Sequence, residues 1–214
     1  MKRTLVPELL DSLRPEDPNA AASRRDLRIF NSVMGNHRWL IRTVAANVGP
    51  GERVLEIGAG SGELGLRLKR CGFDLAGLDL WPSSGGWPEG AGWHQADVRL
   101  FDRWAEYPVV IGSLIFHHFD PPALAVIGAA LKTHARVILA SEPVRARIFQ
   151  RLFALLCGAI RASPVSRHDG HVSIGAGFLG NELPEMLGLS RNEWNWSVRT
   201  HWLGAYRLIA IRKS

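Results

Sequence analysis

The hydrophobic positions change period several times along the chain, and each change marks an element. Between 53 and 140, short apolar runs alternate with stretches whose apolar residues recur every three or four positions. The runs predict strands over 53–57, 74–78, 93–96, 109–115 and 136–140. A helix is expected from Glu63 to Cys71, stopped by Gly72, and a helical turn over 101–106. Asp120 followed by Pro121-Pro122 is a cap-and-start signal for a further helix through Leu124, Ile127 and Leu131. Strands alternating with helices imply a parallel, doubly wound sheet.

The flanks read differently. Residues 1–22, with Pro, Asp and Asn, predict a loosely ordered arm holding a short helical pattern over 6–13. Ser23-Arg24-Arg25-Asp26 has capping-box spacing and predicts a helix start, with Leu27, Phe30, Val33 and Met34 on one face. Gly35-Asn36 interrupts it, and a second helix follows over 37–47 until Gly49-Pro50-Gly51. After the fifth strand, 144–160 predicts a long amphipathic helix with Ile148, Leu152, Leu155, Leu156 and Ile160 on its apolar side. Residues 162–178 read as a polar, glycine-bearing loop, 180–187 as a short helix, and 194–202 with 205–212 as two strands reversing at Leu203-Gly204. The expected class is therefore α/β: a Rossmann-like, seven-stranded, mostly parallel sheet with an antiparallel last strand. A helical preface occupies 1–48 and a helical lid follows strand five over 144–180, within one domain spanning 1–214.

Composition narrows this only a little. At 214 residues, 46% hydrophobic and 21% charged, the chain can bury a sizeable core. No apolar run approaches the ~20 residues of a membrane span. The basic start, Met1-Lys2-Arg3, lacks an apolar signal core, so a cytoplasmic location is expected. Cys71 and Cys157 are expected as buried free thiols. The net charge of +6 raises a nucleic-acid partner, but no basic stripe is interleaved with aromatics, and such a partner is disfavoured. The basic rim of 144–161 suits contact with a membrane surface better than stable insertion.

The stretch with most chemistry is Val54-Leu55-Glu56-Ile57-Gly58-Ala59-Gly60-Ser61-Gly62. An apolar strand ends, glycines follow at alternate positions, and a helix begins, as in a crevice for a nucleotide-like ligand. A dinucleotide fingerprint spaces its glycines G-x-G-x-x-G. Here they step by two and an acid precedes them.

With those residues, the chain resembles the class I S-adenosylmethionine-dependent methyltransferases over about 50–143. Leu55 to Gly62 resembles that family's first motif, and Asp79 its ribose-binding acid. Ala96-Asp97-Val98 resembles the adenine-contacting segment. Ser113-Leu114-Ile115-Phe116-His117-His118 resembles the strand-four motif, with Ser113 in place of an amide. More loosely, Ser141-Glu142-Pro143-x-Arg145, Arg167-His168-Asp169 and Ala176-Gly177-Phe178 resemble features of small bacterial enzymes that modify quinones and polyketides.

The resemblance implies S-adenosylmethionine as cofactor, held by Glu56, Gly58, Ala59, Gly60, Gly62, Asp79, Leu80, Asp97, Val98, Ser113 and Leu114. His117 and His118 are candidate bases for a phenol-like acceptor. His37, Arg38, His168 and Asp169 are candidate substrate contacts. The plainer readings stand beside these: Asp97 as a turn cap, His168-Asp169 as a loop pair, His117-His118 as a structural pair. No metal is expected, because the only acid just beyond strand four, Asp120, is better read as a helix cap. A small-molecule acceptor is the leading expectation, with a homodimer admissible. The alternatives are an RNA or protein methyltransferase, disfavoured by the lack of Asn/Asp-Pro-Pro-Tyr, and a non-catalytic cofactor-binding subunit.

Overall fold

The computed structural model describes residues 1–214 apart from Pro15, Ser84 and Ser214. Seven strands form one sheet: β1 Val54–Ile57, β2 Leu75–Asp79, β3 Gly92–Gln95, β4 Val109–Ser113, β5 Val137–Pro143, β6 Trp194–Thr200 and β7 Ala205–Arg212. Their spatial order is β3-β2-β1-β4-β5-β7-β6. The first five pair in parallel, and β7 runs antiparallel to both β5 and β6, as the α/β reading expects. The chain steps outward from β1 to β3 and returns to β4. The switch point of the sheet therefore lies between the carboxyl ends of β1 and β4.

Alternation along the strands builds the two sides of the core. Val54, Leu75, Val109, Ile111, Val137 and Leu139 face Leu40 and Val44 of α3 (Asn36–Asn47) and Leu64 and Leu68 of α4 (Glu63–Arg70). Leu55, Ile57, Val110 and Ile138 face the other way, toward Leu124, Ile127 and Leu131 of α5 (Pro121–His134). Burial on both faces is why these strands read as apolar runs rather than as alternating ones.

β5 is longer than its apolar run suggested. It continues through Ser141, Glu142 and Pro143, paired with Arg207, Tyr206 and Ala205 of β7. β4 is shorter than expected. It stops at Ser113, and Leu114 turns the chain with a φ of 58°.

The flanking helices depart from the sequence reading in three ways. First, the helix expected at Ser23 begins at Pro18 and runs to Met34 as α2, capped by Asp17, whose carboxylate accepts from Asn19 N–H at 2.7 Å. Ser23 and Asp26 lie buried within it. Second, most of the expected loop 162–178 is a helix, α7 Pro164–Ala176, with Ser163 as N-cap and Pro164 at its first position. Asp26 accounts for both departures, because its carboxylate accepts from Ser163 N–H at 2.8 Å and from the Ser166 hydroxyl at 2.9 Å. It caps a helix 137 residues away in sequence, not its own.

Third, the helix after strand five is shorter. It is α6, Arg147–Ala159, and it packs on α2 and α7 through Phe30, Phe153, Leu156, Cys157 and Ile160. Gly170 of α7 makes that packing possible, since a Cβ there would sit 2.0 Å from the Phe153 ring. Ile148, Leu152 and Leu155 remain exposed. Cys157 is buried as expected, whereas Cys71, just past the end of α4, is exposed.

Removing the Asp26 cap leaves the Ser163 N–H and the Ser166 hydroxyl without their buried acceptor. Asp26→Ala is expected to lower unfolding free energy by about 1–3 kcal/mol in a denaturant titration. Ser23→Ala, whose hydroxyl has only a 3.3 Å contact with Ser166, is expected to cost less than about 1 kcal/mol. The reverse ranking would restore Ser23 as the cap.

Candidate functional site

The glycine turn and the Leu114 turn stand on either side of the switch point. Gly58, Gly60 and Gly62 all have positive φ, at 66°, 50° and 77°. Gly58 has a second constraint: a Cβ there would lie 2.7 Å from Ile115, which follows Leu114 on the opposite wall. The two turns therefore touch at a point that admits no side chain. Leu114 is the non-glycine counterpart, a left-handed residue held by its N–H to Ser141 C=O at 2.8 Å. Backbone held in such a region gathers at binding sites.

Glu56 lies directly before the turn, 3% exposed, and its Oε2 has no hydrogen-bond partner among the described residues. Burial and the neighbouring charge of Asp79 push its carboxyl up to about 8, against a hydrogen bond from Gly65 N–H. Asp79, at the β2 tip, accepts from Gly60 N–H at 2.8 Å and from Trp81 N–H at 3.1 Å, which joins the first two strand tips. Leu80 and Trp81 beyond it are exposed, while Ala59 is buried within the turn. Asp97 accepts from Arg99 N–H at 2.9 Å and pairs with the Arg99 guanidinium, which holds its carboxyl below the usual range. That is the turn-cap geometry. Val98 packs against the core, and the Ser113 hydroxyl is buried without a partner among the described residues.

Beyond Leu114 a short 3-10 turn, Phe116–His118, carries the two candidate bases. Glu142 of β5, fully buried, accepts from Ile115 and Phe116 N–H at 2.9 Å each and from His117 N–H at 3.3 Å. Its second oxygen lies 2.6 Å from His117 Nδ1. The other ring nitrogen of His117 meets Glu8 at 3.3 Å. Burial favours the neutral imidazole, but the hydrogen bonds and charges of Glu142 and Glu8 win, and His117 is pushed up to about 9. In that state it holds its protons on both sides and offers no lone pair. His118 stacks beside it, with ring centres 4.4 Å apart, and meets Glu8 at 3.8 Å and Asp11 at 3.3 Å.

Glu8 and Asp11 come from the arm expected to be loosely ordered. In its first 14 residues the arm is stitched to α7 and to the 3-10 turn. Arg3 donates to the carbonyls of Ala176 at 2.7 Å, Phe119 at 2.9 Å and His117 at 3.2 Å. The Asp169 carboxylate accepts from Leu9 and Leu10 N–H at 2.7 and 2.9 Å and so caps a single turn, α1 Leu9–Ser12. Ser173 donates to Glu8. Together these elements border an open cavity of about 400 Å³ lined by Leu5, Val6, Pro7, Glu8, Asp11, His117, His118, Ser173 and Ala176.

The four expected substrate contacts do not line this cavity. His37 is buried in the first turn of α3, and burial with the Arg67 charge pushes it down to about 4. Arg38 is exposed. His168 Nδ1 pairs with Asp169 at 2.9 Å, and Asp169 is committed to the arm. Glu8, Asp11 and Ser173 escaped sequence reading, since a lone acid in a Pro-containing arm carries no signal of what it will face. Glu142 was visible as a motif residue but not as the anchor of His117.

No family model matches the sequence, and no curated protein matches it. Solved structures do match. The plantazolicin methyltransferase BpumL in complex with SAH superposes with a TM-score of 0.68 at 13% identity, over 93% of this chain and 92% of that one. The magnesium protoporphyrin IX methyltransferase (ChlM) from Synechocystis PCC 6803 with bound SAH gives 0.57 at 14% identity, over 89% and 86%. A protein from echinomycin biosynthesis, in a structure on converting a disulfide bond into a thioacetal group, gives 0.59 at 20% identity, over 82% of each chain. The chain therefore has the Rossmann-like fold of these methyltransferases.

The raised Glu56 pKa has a sign that can be checked. The fold favours the protonated acid, so its contribution is complete below the unfolded value of 4.5 and is lost as pH rises through about 8. Thermal melts are expected to show stability declining over that interval, with Glu56→Gln flattening the decline. An unchanged slope in the variant would remove Glu56 as its source.

Proposed function

We propose that this chain transfers a methyl group from S-adenosylmethionine to a small-molecule acceptor. The acceptor is an oxygen or carbon nucleophile on an aromatic, polyketide or quinone-like framework of secondary metabolism. The observation that carries the cofactor is the buried, unpartnered Glu56 oxygen under a glycine turn at the switch point. A buried carboxyl with one oxygen unpartnered suits a ligand bearing positive charge, which would favour its ionised form. Asp79 at the next strand tip suits the ribose hydroxyls, and Asp97 with Val98 the adenine, once Arg99 releases its carboxylate. Ser113, with its free buried hydroxyl, and Leu114 complete the set on the β4 side.

S-adenosylmethionine supplies a methyl group already made electrophilic by its sulfonium. The chain's own work is to align the acceptor, exclude water and take a proton. The 400 Å³ cavity has the size of a small-molecule site and is walled on one side by Leu5, Val6 and Pro7, which favours a small acceptor over nucleic acid or protein. His118 and Glu8 face the acceptor's proton, while His117 orients Glu8 from below. Asp169, with His168 behind it, holds the arm in place, and His37 and Arg38 take no direct part. On this reading 1–214 acts as one methyltransferase domain, with 1–48 and 144–180 as its acceptor side. The names of the plantazolicin and magnesium protoporphyrin IX methyltransferases support a small-molecule acceptor.

Calorimetry with S-adenosylmethionine is expected to give one site per chain. Asp79→Ala should weaken it at least about ten-fold, or ~1.4 kcal/mol. Affinity should rise with pH toward about 8 as Glu56 ionises, and Glu56→Gln should flatten that rise. A wild-type protein that binds no S-adenosylmethionine sinks the reading. S-adenosylhomocysteine release over a panel of phenols and quinols then identifies the acceptor class.

A further inference from the structure

The cluster under the arm contains more than a base needs. Glu8, His117 and His118 each present one donor atom, and all three atoms lie within 4.8 Å of one another. The outer nitrogens of both rings are already engaged. His117 Nδ1 faces Glu142 at 2.6 Å, and His118 Nδ1 faces Asp11 at 3.3 Å. A carboxylate on the far nitrogen holds the N–H there and turns the lone pair of the other nitrogen inward. Metal-ligating histidines are usually oriented this way. Both inner nitrogens then point at Glu8, at 3.3 and 3.8 Å. Lone pairs facing a carboxylate repel unless a positive charge lies between them. A cation held among the three donor atoms would supply that charge.

We propose that Glu8, His117 and His118 form a two-histidine, one-carboxylate site for a first-row divalent cation of zinc type, with Glu142 and Asp11 as its outer carboxylates. Two nitrogens and one oxygen suit such an ion better than magnesium or calcium, which prefer oxygen throughout. Bonds of about 2.0–2.1 Å in a tetrahedron set ligand atoms about 3.3 Å apart. The His117–Glu8 separation already has that value, and the His118–Glu8 separation needs about half an ångström of closure. Three ligands leave a position open toward the cavity walled by Leu5, Val6 and Ala176, where water or an acceptor oxygen would bind. The absence of a metal expected from the sequence rested on the lack of acids just beyond strand four. The acid arrives instead from 109 residues upstream.

What the ion would do, polarising an acceptor oxygen, rests on the methyl-transfer reading, but its binding does not. The test is calorimetric titration of chelator-treated full-length protein with zinc(II) alone, with cobalt(II) absorption on the same samples. One saturable zinc per chain and tetrahedral cobalt bands are expected. Glu8→Gln, on the arm and outside the sheet, should weaken zinc more than a hundred-fold, and His117→Ala and His118→Ala likewise. Asp11→Asn should cost about ten- to a hundred-fold. His171→Ala, an exposed histidine on α7, should leave binding unchanged. Circular dichroism identifies any variant that fails to fold, and Glu8→Gln then carries the test. No saturable zinc binding by the wild type overturns the proposal, as does wild-type affinity in Glu8→Gln. S-adenosylmethionine binding measured on the same protein separates failure of the metal site from failure of the methyl-transfer reading.

Discussion

The Glu142 carboxylate is the interaction on which the site depends. It sits fully buried at the end of β5, where an acid without partners would cost several kcal/mol. It accepts three consecutive backbone N–H groups from the turn after β4, together with the His117 ring. Those N–H groups belong to a segment that has left its strand and is not yet a helix, so no ladder would satisfy them. One side chain thereby replaces the missing backbone partners. It fixes the turn that carries Ile115 against Gly58, and it holds the proton on His117 Nδ1 and the tilt of the ring. The strained Leu114 conformation is tolerable because its own N–H is held by the Ser141 carbonyl and the next residue's N–H by Glu142.

The two halves of the crevice are built on different principles. On the β1–β2 side, recognition rests on backbone that no side chain obstructs, backed by two carboxylates at strand tips. On the β4–β5 side it rests on side chains gathered from four separate parts of the chain: the arm, the 3-10 turn, β5 and α7. The first kind of site follows from a short local stretch. The second exists only once the tertiary structure has formed.

That difference sets what was legible in advance. Strands β1 to β5, the switch point and the acids at 56, 79 and 97 could be read locally, because burial on both faces leaves apolar runs and a tight turn demands glycine. The arm could not, because its order comes from Arg3 and Asp169, residues whose partners are distant in sequence. Residues 162–178 looked like a loop because glycines interrupt the helical pattern. Gly170 is there to admit the Phe153 ring, a packing demand rather than a turn. Ser23 to Asp26 had the right spacing for a cap, yet an acid in mid-helix serves another helix's start just as well. Glu142 ended the apparent strand because a charge is not expected in a sheet interior unless its partners are known.

The arm, finally, supplies one wall of the cavity. One side of the cavity is a length of chain pinned by Arg3 and by the Asp169 cap, and that side moves only when those hydrogen bonds release together. Widening the cavity on that side is then a local unfolding event. Peeling Glu8 away also dismantles the cluster it completes. The same movement that widens the cavity takes apart the polar centre that lines it.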